Sequence, residues 1–125
     1  MLFAGEFENA ISRNRAEPVE IWKARKFIDE HSDEELSLGR VAKTVGVNAN
    51  YLSERFKQVT GVNLVHYIAQ IRFKRACDLL RTSSRQISEI AFAAGFQSLS
   101  QFNRVFKKLS GKSPTEYRAA KRLSE

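Results

Sequence analysis

The chain has 125 residues, 42% of them hydrophobic and 28% charged, with a formal net charge of +7. That is one domain's worth of globular material, or two very small domains sharing a core, and its composition lies well away from the disordered range. No apolar run approaches the roughly 18 residues that span a bilayer, no signal-peptide pattern opens the chain, and a single cysteine rules out an internal disulfide.

Apolar residues recur three and four apart almost throughout and period-two alternation is scarce, so the expected fold class is all-α. Residues 2–18, LFAGEFENAISRNRAEP, read as a weakly amphipathic segment ending at Pro18. The stretch 1–18 is therefore expected as a linker or a remnant of an upstream region. A first helix from about Val19 to His31 carries Ile21, Trp22, Phe27 and Ile28 toward a core. The acidic HSDEELS turn follows, and Ser37 caps a short helix, LGRVAKTV, that Gly46 ends.

Asn48 caps the next helix, which Gly61 ends, and Asn63 caps a longer one over about 64–81. After the TSSRQ loop, ISEIAFAA runs up to Gly95, and a helix over SLSQFNRVFKK ends at Gly111. Ser113, Pro114 and Glu116 open the last helix as cap, first helical residue and capping-box partner. The count is about seven helices. Cys77, on the long helix, is expected as a small core filler in a reduced cytoplasm.

The charge is unevenly placed. Residues 1–35 hold nine acids and five bases, net −4, whereas residues 36–125 hold sixteen bases and five acids, net +11. The basic part points to an anionic partner, with nucleic acid ahead of membrane because no strongly apolar basic helix is present.

That basic part is also a duplication. Leu38, Val41, Ala42 and Gly46 correspond to Ile87, Ile90, Ala91 and Gly95 at an offset of 49. Leu52, Phe56, Lys57, Gly61 and Tyr67 correspond to Phe102, Phe106, Lys107, Gly111 and Tyr117 at an offset of 50. The extra residue falls in the turn after glycine, where an insertion disturbs least. In each copy a small residue (Ala42, Ala91) lets two helices approach, and a glycine four residues on permits a sharp turn. Such a unit is a helix-turn-helix, whose second helix can lie in a DNA major groove.

The expected organisation is a first helix-turn-helix subdomain at 19–62, a linking helix at 63–82 and a second helix-turn-helix subdomain at 83–125. The linking helix, eighteen residues at about 1.5 Å each, spans about 27 Å. Successive major-groove faces on one side of B-DNA lie about 34 Å apart, so one chain can reach two grooves without dimerising.

The second helix of each copy, about 49–60 and 99–110, has two faces. In the later copy Leu99, Phe102, Val105 and Phe106 form an apolar stripe expected in the core. Off the stripe, Arg104 suits guanine, and Asn103 or Gln101 suits adenine. Ser98 and the helix N-terminus suit a phosphate, as do Lys107 and Lys108. In the earlier copy Asn50, Ser53, Glu54 and Lys57 are the outward candidates. Glu54 has two readings: it accepts from cytosine N4 in the groove, or it turns away to pair with Arg55 or another base. The first copy is expected to read fewer bases than the second.

The segments YIAQIRFKRACDLL, ISEIAFAAGFQSLSQFNRVFKKLSGKSPTEYR and VAKTVGVNANYLSERFKQVTG together resemble the DNA-binding domain of the AraC/XylS family of bacterial transcription regulators. The similarity covers about residues 19–122. It implies two helix-turn-helix subdomains joined by a long helix, binding double-stranded promoter DNA, with RNA polymerase as a further partner. It implies groove-facing positions at Asn50, Ser53 and Glu54 in the first reading helix, and at Leu99, Ser100, Asn103 and Arg104 in the second. Leu99 departs from the family pattern: its side chain meets a thymine methyl or simply packs. Arg72 matches an arginine common in the family's linking helix, either a phosphate contact or half of a structural ion pair. Members of the family usually carry a sensing or dimerisation domain upstream, so the resemblance implies either a small stand-alone regulator or the C-terminal part of a longer one, cytoplasmic and nucleoid-associated.

An enzyme is not expected. His31 and His66 stand singly, without a carboxylate or nucleophile arrangement, and no metal spacing or phosphate-cradling glycine motif occurs, so no cofactor and no metal are implied. The competing class is a helical adaptor for an acidic protein, which would bind DNA without sequence preference.

Overall fold

The structure, a computed structural model, describes residues 17–124. Of the expected stretch 1–18, only Glu17 and Pro18 fall within it. Seven helices form among the described residues: α1 (Val19–His31), α2 (Leu38–Val45), α3 (Ala49–Thr60), α4 (Leu64–Thr82), α5 (Ile87–Ala93), α6 (Leu99–Ser110) and α7 (Pro114–Ser124). No strand occurs among them. The all-α reading therefore holds, element by element.

The chain divides into two compact units. Among the described residues, one contains 17–30 and Leu36–Val65; the other contains His31–Glu35 and 66–124. The first unit buries Ile21, Ala24 and Ile28 of α1, Val41 and Ala42 of α2, and Leu52 and Phe56 of α3, each at most 2% exposed. Trp22 and Phe27, expected in this core, are only half-buried. Lys26 Nζ stands 5.6 Å from the Trp22 ring, and the Arg40 guanidinium stands 5.5 Å from the Phe27 ring. Both rings thus serve as half-covered platforms for cations, and the small Ala24 takes the interior place.

In the second unit Ala76, Leu80, Ile90, Ala91, Ala94, Phe96, Phe102 and Phe106 form one buried cluster. Phe106 is its hub, with ring centroids of Phe73, Tyr117 and Phe102 at 4.8, 5.3 and 5.6 Å in tilted or edge-on arrangements. Such pairs each contribute about 0.5–1.5 kcal/mol beyond the area they bury. Cys77 is half-buried and packs against this cluster, as expected of a filler. Burial pushes its thiol above the ordinary cysteine value, the opposite of an activated thiolate.

The acidic turn between α1 and α2 does more than reverse the chain. Ser32 is fully buried although it lies in a polar loop. Its carbonyl accepts from Arg72 Nε at 3.0 Å, its hydroxyl accepts from Arg75 at 3.1 Å, and Arg72 Nη2 donates to Glu34 O at 2.8 Å. Gly95 closes over the same carbonyl at φ +105. His31 also departs from expectation: Nδ1 lies 2.7 Å from Glu34 Oε2, three residues away, so it does have a carboxylate neighbour.

The duplication persists at the level of single hydrogen bonds. Val47 N–H donates to Ala42 O, and Phe96 N–H to Ala91 O, both at 3.0 Å. These bonds close the two turns in the same way. Gly61 and Gly111 donate to Lys57 O and Lys107 O at 2.9 and 2.8 Å, at φ +83 and +77. The hydroxyls of Thr60 and Ser110 donate to Phe56 O and Phe106 O and accept from the N–H of Val62 and Lys112. That last correspondence was not read from the sequence, because Thr and Ser share a hydroxyl rather than a name. At the end of the chain the expected capping box forms: Ser113 Oγ accepts from Glu116 N–H, and Glu116 Oε1 accepts from Ser113 N–H.

Candidate nucleic-acid interface

Helix α6 starts cleanly because Ser98 is extended (φ −150, ψ 156) and its Oγ accepts from Gln101 N–H at 3.1 Å. Phe102 and Phe106, one turn apart, are fully buried and fix which face is inward. Ser98, Ser100, Asn103, Arg104, Lys107 and Lys108 are then exposed. No Asp or Glu occurs between Ile90 and Thr115, so α6 itself carries no acid; Glu116 of α7 acts electrostatically on Lys107. A polar and cationic face on a helix held by two phenylalanines has the chemistry to meet base edges and phosphates.

Helix α3 repeats the plan. Asn48 Oδ1 accepts from the N–H groups of Asn50 and Tyr51, and Leu52 and Phe56 are fully buried. Asn50, Glu54 and Lys57 are exposed, and Ser53 is half-buried. Glu54 forms no ion pair or side-chain hydrogen bond among the described residues. The Arg55 expected as its alternative partner donates to Gln58 Oε1 at 3.5 Å and acts electrostatically on Glu20. Glu54 is thus exposed and the pairing with Arg55 is not formed.

Three sequence-based assignments need correction. Leu99 is 40% exposed and is not part of the core stripe. It sits in the first turn of α6, one turn ahead of Phe102, where the core no longer covers the helix. Gln101 is only half-exposed, and its Oε1 accepts from Gln97 N–H at 3.1 Å, so it secures the turn rather than facing outward.

Arg72 is 7% exposed and spends its guanidinium on two main-chain carbonyls, which takes it out of the phosphate-contacting set. Neither of the two sequence readings, phosphate contact or ion pair, matches this fork. Arg72→Lys keeps the charge but cannot reproduce two forked bonds. It is expected to lower unfolding stability by roughly 1–2 kcal/mol in urea titration while leaving the salt dependence of DNA binding unchanged. A phosphate contact would give the reverse.

Some other bases are also structural. Arg118 donates to Leu80 O and Ser83 O, each at 3.3 Å, and Arg122 donates to Ser83 O at 3.2 Å. The net charge therefore overstates the cations available to a partner.

The comparisons with known proteins agree with this geometry. A family model described as a helix-turn-helix domain matches residues 41–120. The regulatory protein SoxS of Salmonella typhimurium is 40% identical over 93 residues, covering 74% of this chain and 87% of that protein. The chain belongs to the AraC/XylS family.

Solved structures of AraC/XylS-type domains match it over nearly its whole described length. The C-terminal domain of AraT, a response regulator from Geobacillus stearothermophilus, superimposes with a TM-score of 0.81 at 34% identity, over 85% of this chain and 88% of that one. The DNA-binding domain of AdpA, solved in complex with a target DNA, has a TM-score of 0.81 at 26% identity, over 85% and 96%. An AraC/XylS helix-turn-helix chain is a DNA-binding transcription regulator whose partner is double-stranded DNA, and it is not an enzyme.

Proposed function

We propose that this AraC/XylS domain reads promoter DNA sequence-specifically with two recognition helices, α3 and α6, entering adjacent major grooves. The observation that carries this is the repeated division of each helix into a fully buried pair (Leu52 with Phe56, Phe102 with Phe106) and an exposed polar face. Base contacts are assigned to Asn50, Ser53 and Glu54 in the first helix and to Leu99, Ser100, Asn103 and Arg104 in the second. Phosphate contacts are assigned to Ser98, Lys57, Lys107 and Lys108. In this reading 19–62 and 83–125 are the two helix-turn-helix subdomains and 63–82 is the linking helix. The nineteen residues of α4, at about 1.5 Å each, make a helix about 28 Å long.

The wider regulator is proposed to act at promoters with RNA polymerase as a partner, and to take its signal from a sensing or dimerisation domain upstream. It works in the cytoplasm, on the nucleoid. Among the described residues no helix is long and apolar enough to cross a membrane.

The test is competition between a selected duplex and random duplex across a salt series. A sequence-reading domain prefers its site by about 10³-fold or more at physiological salt, and equal affinities would contradict the reading. Within that series, Lys108→Ala is expected to weaken selected and random duplexes alike and to lower the log–log salt slope by about one.

A further inference from the structure

The two recognition helices are fastened differently at one equivalent position. Tyr51 and Gln101 correspond at the offset of 50, and each is the third residue of its helix. Gln101 reaches back four residues, to the N–H of Gln97. Tyr51 reaches across 31 residues of sequence, donating its hydroxyl to Glu20 Oε1 of α1 at 2.8 Å. Both helices are capped locally, by Asn48 and Ser98, and at this position the first adds a bond to another helix, α1.

The Tyr51 ring is 47% exposed, so burial does not fix it; the hydroxyl bond does. Arg55, one turn further on, is half-buried and pulls electrostatically on the same Glu20 carboxylate. Glu20 is held below the usual carboxylate range first by a backbone hydrogen bond and then by the Tyr51 hydroxyl, and that bond in turn raises the Tyr51 phenol. Leu52 and Phe56 secure α3 along one stripe only. Any rotation of the helix about its axis swings the side chains off that stripe, which stand at about 100° steps around it. A second attachment point off that stripe opposes the rotation. Asn50 immediately before Tyr51, and Glu54 three residues after it, move with any such rotation.

We infer that Tyr51 is a positioning residue for base reading: its bond to Glu20 sets the rotation of α3 and so the discrimination of the first helix-turn-helix. The inference rests on the two-helix reading above. It assigns Glu20 and Arg55 to the same device, with Glu20 as the anchor and Arg55 as the charge that steadies it.

The test uses the duplex selected by the unaltered chain, a panel of single base-pair changes in each of its two elements, and a random duplex. Tyr51→Phe is expected to reduce discrimination at the first element about three- to tenfold, while leaving the second element, random-duplex affinity and the thermal midpoint unchanged. Glu20→Ala is expected to match it, Glu20→Gln to retain discrimination because the amide oxygen still accepts, and the double Tyr51→Phe/Glu20→Ala variant to be no worse than either single change. Undiminished discrimination at the first element in Tyr51→Phe and Glu20→Ala overturns the inference. So does an equal loss on both elements and random duplex. An unaltered chain that discriminates at only one element defeats the two-helix reading itself, and the inference with it.

Discussion

Gly95→Ala is expected to destabilise the chain by roughly 3–5 kcal/mol, seen as a thermal midpoint lower by about 15 °C or more. Two effects combine. Gly95 has φ +105, a conformation strained for any residue with a Cβ. A Cβ there would also collide with the Ser32 carbonyl oxygen and come within 2.9 Å of Arg72 Nε. Backbone cannot retreat as a flexible side chain does, so the 31–35 segment must lift and the Arg72–Ser32 bond must break. Gly46 is the counterpart at the offset of 49 and has nothing within 4 Å of a Cβ. Gly46→Ala should therefore cost only the strain of its positive φ, about 1–2 kcal/mol. Equal losses for the two variants in denaturant titration would refute the close-approach account.

Arg104→Ala is expected to cost about 1–3 kcal/mol on the selected duplex and to relax preference at one base pair, with little change on random DNA. Arg104 is exposed in the middle of α6, between the buried Phe102 and Phe106, with no acid nearby in sequence to occupy it. A guanidinium so placed can grip guanine O6 and N7 together. Binding measured against a panel of base-substituted duplexes checks this. Equal losses on selected and random duplexes would make Arg104 a phosphate contact instead.

What was legible in the sequence was local. Caps, terminating glycines and the capping box act within five residues, and Ser37, Asn48 and Ser113 mark helix starts from chemistry carried by a few neighbours. The duplication was legible because apolar positions and glycines recur at an offset of 49 and then of 50. Contacts that close over long separations were not. Nothing near Arg72 in sequence announces that its fork will meet carbonyls 40 and 38 residues away. Nothing near Tyr51 announces Glu20. Leu99 misled because apolar spacing says which residues line up, not where along the helix the core stops covering them.

The central claim, that one chain reads DNA with two helices, is tested most directly by selection from a random duplex library at a stated salt concentration. The account predicts enrichment of two short elements about one helical turn apart, the element contacted by α6 the more sharply defined. Enrichment of a single element would contradict it and reduce α3 to scaffolding.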